Sequence, residues 1–387
     1  SCVVSEQAQL CALLTLAHPG PRAANGGLMD PRPATVLSRH GMRDAGEFSR
    51  RALLGGLVGA AAWSLCPEAA AAAKAEKAKA SEKAAAKAVP VVQDVEQGKR
   101  GTTFTLNLQH SMFPAPGARW RDPTTLVFVP SHFRVLDDQK VDAVVHFHGH
   151  KTTAAEAMKK HQLREQLDDS RQNAILIMPQ GPVRAVDSNG GKLDRPGGLA
   201  RFLSEVRTTL QKPEATKALA AARLPASARV GAVCISAHSG GFGVTARCLK
   251  HGGYDVNEVY LFDALYGEVA AYLEWVLERR SQSAARLRHK LVSYYAGGKP
   301  RSNNLALMKS LRSHGIDVLH EEREGQLSRA EITKGRAVFI RTAIDHSRLT
   351  YQSNGLRDCL YASSLRRRLE SDWFADKDGQ REIDRRP

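Results

Sequence analysis

The sequence predicts an α/β protein: a doubly wound, mostly parallel sheet with helices on both faces. Three observations carry this. Short apolar runs recur at 141–147, 174–178, 230–235, 259–262 and 291–295, with β-branched residues prominent at 141–147 and 230–235, and their length and composition suit strands buried on both sides. Stretches with helical spacing of apolar residues separate them, the alternation that builds parallel sheets through crossover connections. The first three runs break into turns at His148-Gly149, Pro179-Gln180-Gly181-Pro182 and Ser239-Gly240-Gly241, where glycine and proline punctuate the chain.

Taken in order, residues 1–41 are rich in Pro, Gly and Arg without sustained periodicity, and read as disordered or as sequence upstream of a true start at Met42. Residues 42–73 have the plan of an export signal. A Gly/Ala-rich apolar segment runs from Leu53 to Leu65, too short to span a bilayer, and an alanine run offers a small-x-small cleavage site. Within it Ser49-Arg50-Arg51-Ala52-Leu53-Leu54 resembles the twin-arginine (Tat) motif of bacterial signals. That resemblance implies passage through the Tat translocation machinery to a periplasmic or secreted location, with no stable membrane span after the signal is removed. Residues 74–88, Ala/Lys/Glu-rich without an apolar face, read as a linker. The folded domain is expected over 89–387.

In that domain residues 102–108 alternate as an edge strand does, and 126–129 form a second strand. The run 141–147 is followed by a helix over 154–167 with Leu163 and Leu167 on one face. After 174–178 a polar loop, 187–196, reads as a solvated connection to a helix over 198–210. The strand 230–235 turns at Ser239 into a helix over 244–249, and strands at 259–262, 291–295, 318–319 and 338–340 complete the series.

Hydrophobic residues at 42% and charged residues at 25% are the balance of a soluble globular protein. The formal charge of +16 is spread along the chain, with local excess in the alanine-rich segment and at Arg366-Arg367-Arg368. No basic stretch interleaves with aromatics, which argues against a nucleic-acid partner. The six cysteines show neither CxxC pairing nor zinc spacing. Cys234 and Cys248 fall on an expected strand and helix, as small apolar filler.

Ser239 is the residue around which the chemistry gathers. It stands in Ala237-His238-Ser239-Gly240-Gly241, of the form small-x-Ser-x-Gly, at a strand-to-helix turn. A serine there sits in a strained backbone conformation, and bulky residues two places either side would collide. The following helix points its positive end, and the N–H of Gly240, at negative charge developing beside the serine. His238 reads as a packing and hydrogen-bonding residue.

This order of strands and turns resembles the α/β-hydrolase superfamily, over roughly residues 89–369. His148-Gly149 is similar to its His-Gly turn, which implies a second oxyanion donor in the backbone N–H of His150 or Lys151. Ser239 matches the nucleophile, with Ala237 where glycine is commonest. His346, in a loop after the last strand, matches the base. Asp263 closes the strand after the nucleophile's helix and matches the acid. The more frequent position, one strand later, is occupied by Ala296-Gly297-Gly298-Lys299-Pro300-Arg301 and offers no carboxylate. Asp345 is the rival acid, and Asp263 could instead cap a helix starting at Ala264.

The resemblance implies an exported serine hydrolase that cleaves a carboxylic ester, or an amide or peptide, of a small molecule or polymer. It acts through an acyl-enzyme on Ser239 and needs no cofactor. Two alternatives stand beside it. One is a catalytically silent hydrolase-fold protein that binds a ligand in the same cleft. The other is a metal-dependent hydrolase using His146, His148 and His150, whose spacing of two would put them on one face of a strand.

Overall fold

The computed structural model describes residues 90–186, 188–370, 373, 379, 381, 383 and 385–387. The sequence expectations for 1–41, for the export signal at 42–73 and for the linker at 74–88 lie outside these residues.

Ten strands form one sheet: β1 (Val92–Gly98), β2 (Gly101–Asn107), β3 (Thr124–Pro130), β4 (Lys140–Phe147), β5 (Ala174–Pro179), β6 (Arg229–His238), β7 (Glu258–Phe262), β8 (Lys290–Tyr295), β9 (Val318–Glu321) and β10 (Ala337–Arg341). Their order is β1-β2-β3-β5-β4-β6-β7-β8-β10-β9. The pairs from β1 through to β5 are antiparallel, and every pair from β5 through to β9 is parallel. The fold is therefore α/β, doubly wound and mostly parallel, the architecture the α/β-hydrolase resemblance implies.

Side chains alternate across this sheet into two cores. On one face Ala143, Val145, Phe147, Val233, Ile235 and Ala237 pack under the helices Gly198–Leu210, Phe242–His251, Val269–Glu278 and Gly298–Ser313. On the other, Val144, Leu176, Cys234 and Tyr260 pack under helices that contribute Met158, Leu167, Ile332 and Leu356. The helix Gly198–Leu210 shows why the pairing holds. It buries Leu199, Phe202, Leu203, Val206 and Leu210 at helical spacing along one stripe, each contributing about 1.5–3 kcal/mol when removed from water.

Two expectations change. Residues 102–108 are not the sheet edge, because β1 pairs outside β2. That strand, VQDVEQG, is largely exposed and held by its backbone ladder, so it carries no apolar alternation to read. The helix expected over 154–167 is two, Ala154–Lys160 and Leu163–Asp169, interrupted at Gln162, whose left-handed φ of 48° ends one helix and re-aims the next. The basic triplet Arg366-Arg367-Arg368 is half-buried at Arg366 and exposed at Arg367 and Arg368. Arg366 pairs with Asp138 and the buried Asp142, while Arg367 and Arg368 donate to carbonyls of Tyr361 and His132. Cys234, Cys248 and Cys359 are buried free thiols. No helix among the described residues is long and apolar enough to cross a membrane.

Candidate active site

Parallel strands deliver their carboxyl-end loops to one edge of a sheet. Here the loops after β4, β6, β7 and β10 bring together residues 148–151, 239–241, 263 and 346. The β6 strand runs extended to His238 (φ −110°, ψ 135°), and Ser239 then turns left-handed at φ 52° in a 3-10 turn that opens the helix Phe242–His251. The packing shows why the neighbours are small. A Cβ on Gly241 would come 2.6 Å from the Phe147 carbonyl oxygen and 3.2 Å from the Ala237 Cβ. A Cβ on Gly149 would come 2.8 Å from the Ser239 Cβ. Serine accepts the strained turn because the sheet beneath and the helix beyond over-determine it.

The Ser239 Oγ lies 2.9 Å from the His346 Nε2, and the His346 Nδ1 lies 2.6 Å from the Asp263 Oδ2. Asp263 is buried, and its second carboxylate oxygen accepts the Ala296 N–H at 3.1 Å. It is not a helix cap: residues 264–267 form a bend, and the next helix begins at Val269. Asp263 also holds a left-handed φ of 45°, so Ser239 and Asp263 both sit in backbone conformations that non-glycine residues avoid. Asp345, next to the base, faces away and pairs with Arg348.

The loop carrying His346 is tied down on both sides. The Thr342 N–H donates to the Tyr295 carbonyl, the Arg348 and Leu349 N–H groups donate to the Asp345 carbonyl, and the His238 Nε2 bonds the His346 carbonyl at 2.9 Å.

Of the expected oxyanion donors, Gly240 opens the turn into the helix Phe242–His251, where the helix N-terminus favours negative charge. The Lys151 N–H donates to the Val183 carbonyl at 2.6 Å, whereas that of His150 has no partner among the described residues. The spacing of His146, His148 and His150 does not bring them together as ligands, because β4 ends at Phe147 and the alternation stops with it. His146 is buried and its Nδ1 meets the Ser236 Oγ at 2.8 Å. His148 uses both ring nitrogens: Nδ1 donates to the Gly149 carbonyl and Nε2 accepts the Gly181 N–H. Among the described residues no group of three His, Cys, Asp or Glu side chains could hold a metal ion.

Sequence reasoning missed a group of buried histidines next to His346. The ring of His161, at the end of the helix Ala154–Lys160, lies 4.7 Å from the His238 ring at a tilt of 50°, and the His238 ring in turn lies 4.8 Å from the His346 ring at 36°. Burial pushes His161 down to about 3, with further lowering from His146 and Lys160, and it also pushes His146, His148 and His238 below the ordinary histidine value. No motif announces such a layer, since each member lies on a different element.

The segment 188–196 is no solvated connection. The Ser188 Oγ donates to the His148 carbonyl at 3.1 Å, Lys192 donates to the Gln109 carbonyl, and Asp194 pairs with Arg247 at 2.9 Å. Gly191 (φ 58°) packs so closely that a Cβ would fall 2.1 Å from the Met112 carbonyl oxygen. Immediately before it, the Val186 carbonyl lies over Gly240, 2.6 Å from where a Cβ would be. Val183, Val186 and Tyr266 expose apolar surface here, and the Tyr266 ring stands edge-on to His346 at 6.1 Å.

No family model matches the chain, and no curated protein matches it. Solved structures do. A ferulic acid esterase is 15% identical with a TM-score of 0.39, the match covering 69% of this chain and 95% of that one. An S-formylglutathione hydrolase from Agrobacterium tumefaciens is 13% identical with a TM-score of 0.42, over 75% of this chain and 100% of that one. The siderophore hydrolase EstB from Aspergillus nidulans is 14% identical with a TM-score of 0.37, over 72% and 97%. At such identities the likeness concerns the arrangement of strands and helices, and the chemistry of this chain rests on its own residues.

Proposed function

We propose that this chain is a serine hydrolase that cleaves carboxylic esters through an acyl-enzyme on Ser239. The observation that carries the proposal is the continuous path from Ser239 through His346 to Asp263, 2.9 Å and 2.6 Å in its two steps. Serine is a poor nucleophile until a base takes its proton, and the imidazole needs a carboxylate to hold its tautomer and stabilise its charged form. The His346 Nδ1–H donates to Asp263, which leaves the Nε2 lone pair facing the hydroxyl. The Ser239 Oγ attacks the ester carbonyl carbon while His346 takes the proton. The N–H groups of Gly240 and His150 receive the oxyanion, Lys151 being engaged elsewhere. His346 then protonates the departing alcohol oxygen, and water activated by the same imidazole releases the acid. Val183, Val186 and Tyr266 favour a substrate with apolar parts beside its ester. Export by the twin-arginine route belongs to the same proposal and rests on Arg50-Arg51.

A fluorophosphonate probe tests the reading. Wild-type protein labels at Ser239, and Ser239→Ala abolishes both labelling and ester turnover. A folded wild-type protein that stays unlabelled would favour the silent binder; turnover that survives Ser239→Ala and is lost to a chelator would favour a metal hydrolase.

A further inference from the structure

His238 precedes the nucleophile and has no part in the proton path, yet it touches the loop that carries the base. Its Nε2 lies 2.9 Å from the backbone carbonyl of His346. A carbonyl oxygen only accepts, so the Nε2 carries the hydrogen and Nδ1 bears the lone pair. The ring is buried and sandwiched between His161 and His346, at 4.7 and 4.8 Å between centroids. On its remaining side Gly149 lets the backbone close in: a Cβ there would come 3.1 Å from the His238 Nδ1. One side chain on the β6 terminus therefore fixes the height of a loop more than a hundred residues later in the chain, just where His346 must meet Ser239.

From this geometry we infer that His238 is a positioning residue: its Nε2–H, donated to the His346 carbonyl, holds the base in register with the Ser239 hydroxyl. The inference rests on the reading of Ser239 and His346 as nucleophile and base. Its chemistry is that of a neutral imidazole. The groups facing it are His146 from β4, His161 from the helix before Gln162, and His346 and Asp263 from the triad. Burial, with His161 next, pushes His238 well below the ordinary histidine range. Neutrality suits the role, because His346 becomes an imidazolium in the transition state and a second cation at 4.8 Å would oppose it. The requirement is steep, since misplacement of a reacting group by about 1 Å costs about 10²-fold in rate.

Two amides separate positioning from bulk. The side-chain nitrogen of glutamine reaches about as far as an imidazole Nε2, whereas that of asparagine falls one methylene short. Against a short-chain ester, His238→Asn is expected to lower kcat by about 10- to 100-fold with KM within about twofold, and to slow fluorophosphonate labelling of Ser239 in parallel. His238→Gln is expected to restore kcat to within about fivefold of wild type, because the donor is back. His238→Leu, which keeps apolar contact with His161 but cannot donate, should match His238→Asn and stands in for it should asparagine unfold the protein. Thermal unfolding of each variant identifies those that are folded. Wild-type kcat in a folded Asn or Leu variant overturns the inference, as does a folded Gln variant as slow as the other two. Full turnover by Ser239→Ala would instead remove the underlying reading of the site, which keeps the two failures distinct.

Discussion

Acid should destabilise this fold through its buried histidines before its carboxylates respond, and His161 sets the scale. In the folded protein burial holds His161 at about 3, against an ordinary value of 6.5 that the unfolded chain recovers. Below 6.5 the unfolded chain therefore binds a proton that the folded one refuses. This contribution to stability is complete above 6.5 and is lost progressively as pH falls toward 3. The loss is about 1.4 kcal/mol per pH unit once the pH is well below the unfolded value, and reaches about 2 kcal/mol near pH 5 for His161 alone. Lowered values at His146, His148 and His238 act in the same direction. Glu321 and Asp358, held above the ordinary carboxylate range by burial, act in the opposite one. A variant isolates the single residue. Phenylalanine keeps a ring between His238 and Tyr351 and cannot titrate, so the stability lost by His161→Phe between about pH 7 and about pH 5 should be smaller than the wild-type loss by about 2 kcal/mol. Urea unfolding at a series of pH values measures both curves, and the comparison uses their slopes, so a constant packing defect in the variant cancels. Parallel curves would refute the burial argument for His161.

Two further predictions test the proposed triad and the export route. Asp263→Asn has one carbonyl oxygen for two donors, the Ala296 N–H and the His346 Nδ1–H. It should therefore force the wrong imidazole tautomer, cutting kcat by about 10⁴-fold with the fold intact, while Asp345→Asn should cost about tenfold or less; kinetics beside thermal unfolding decide, and a dead Asp345→Asn with an active Asp263→Asn would reverse the roles. Replacing Arg50-Arg51 with two lysines should retain the protein in the cytoplasm, since a guanidinium pair and an ammonium pair present different donors; fractionation checks it, and undiminished export would remove the twin-arginine reading.

Much of the architecture is legible in the sequence, for a physical reason. A strand buried on both faces is mostly apolar along its length, so β4, β5, β6, β7 and β8 stand out as short apolar runs. The residues of the proposed triad are legible because a parallel sheet leaves such positions little choice: Ser239, Asp263 and His346 lie in the loops after the carboxyl ends of β6, β7 and β10. Where backbone pairing or long-range contact decides, the signal fades. β1 is held by its ladder with β2 and shows mostly polar side chains. The segment 188–196 looks like a solvated connection, yet its polar groups are satisfied by Gln109, His148 and Arg247, residues far away in sequence.

The histidines show the limit most clearly. Spacing two is a ligand signature only while a strand continues, and β4 stops at Phe147, between His146 and His148. The fold then sends the three to separate surroundings: His146 meets Ser236, His148 ties Gly149 to Gly181, and the His150 N–H has no partner among the described residues. His161 and His238, with no spacing in common, bring their rings together at a tilt, and His238 meets the ring of His346 in the same way. An imidazole is apolar enough to stack and polar enough to donate one hydrogen bond, so its role follows from which neighbours enclose it. Those neighbours come from β4, from β6, from the helix end before Gln162 and from the loop after β10, and only the assembled sheet brings them within reach of one another.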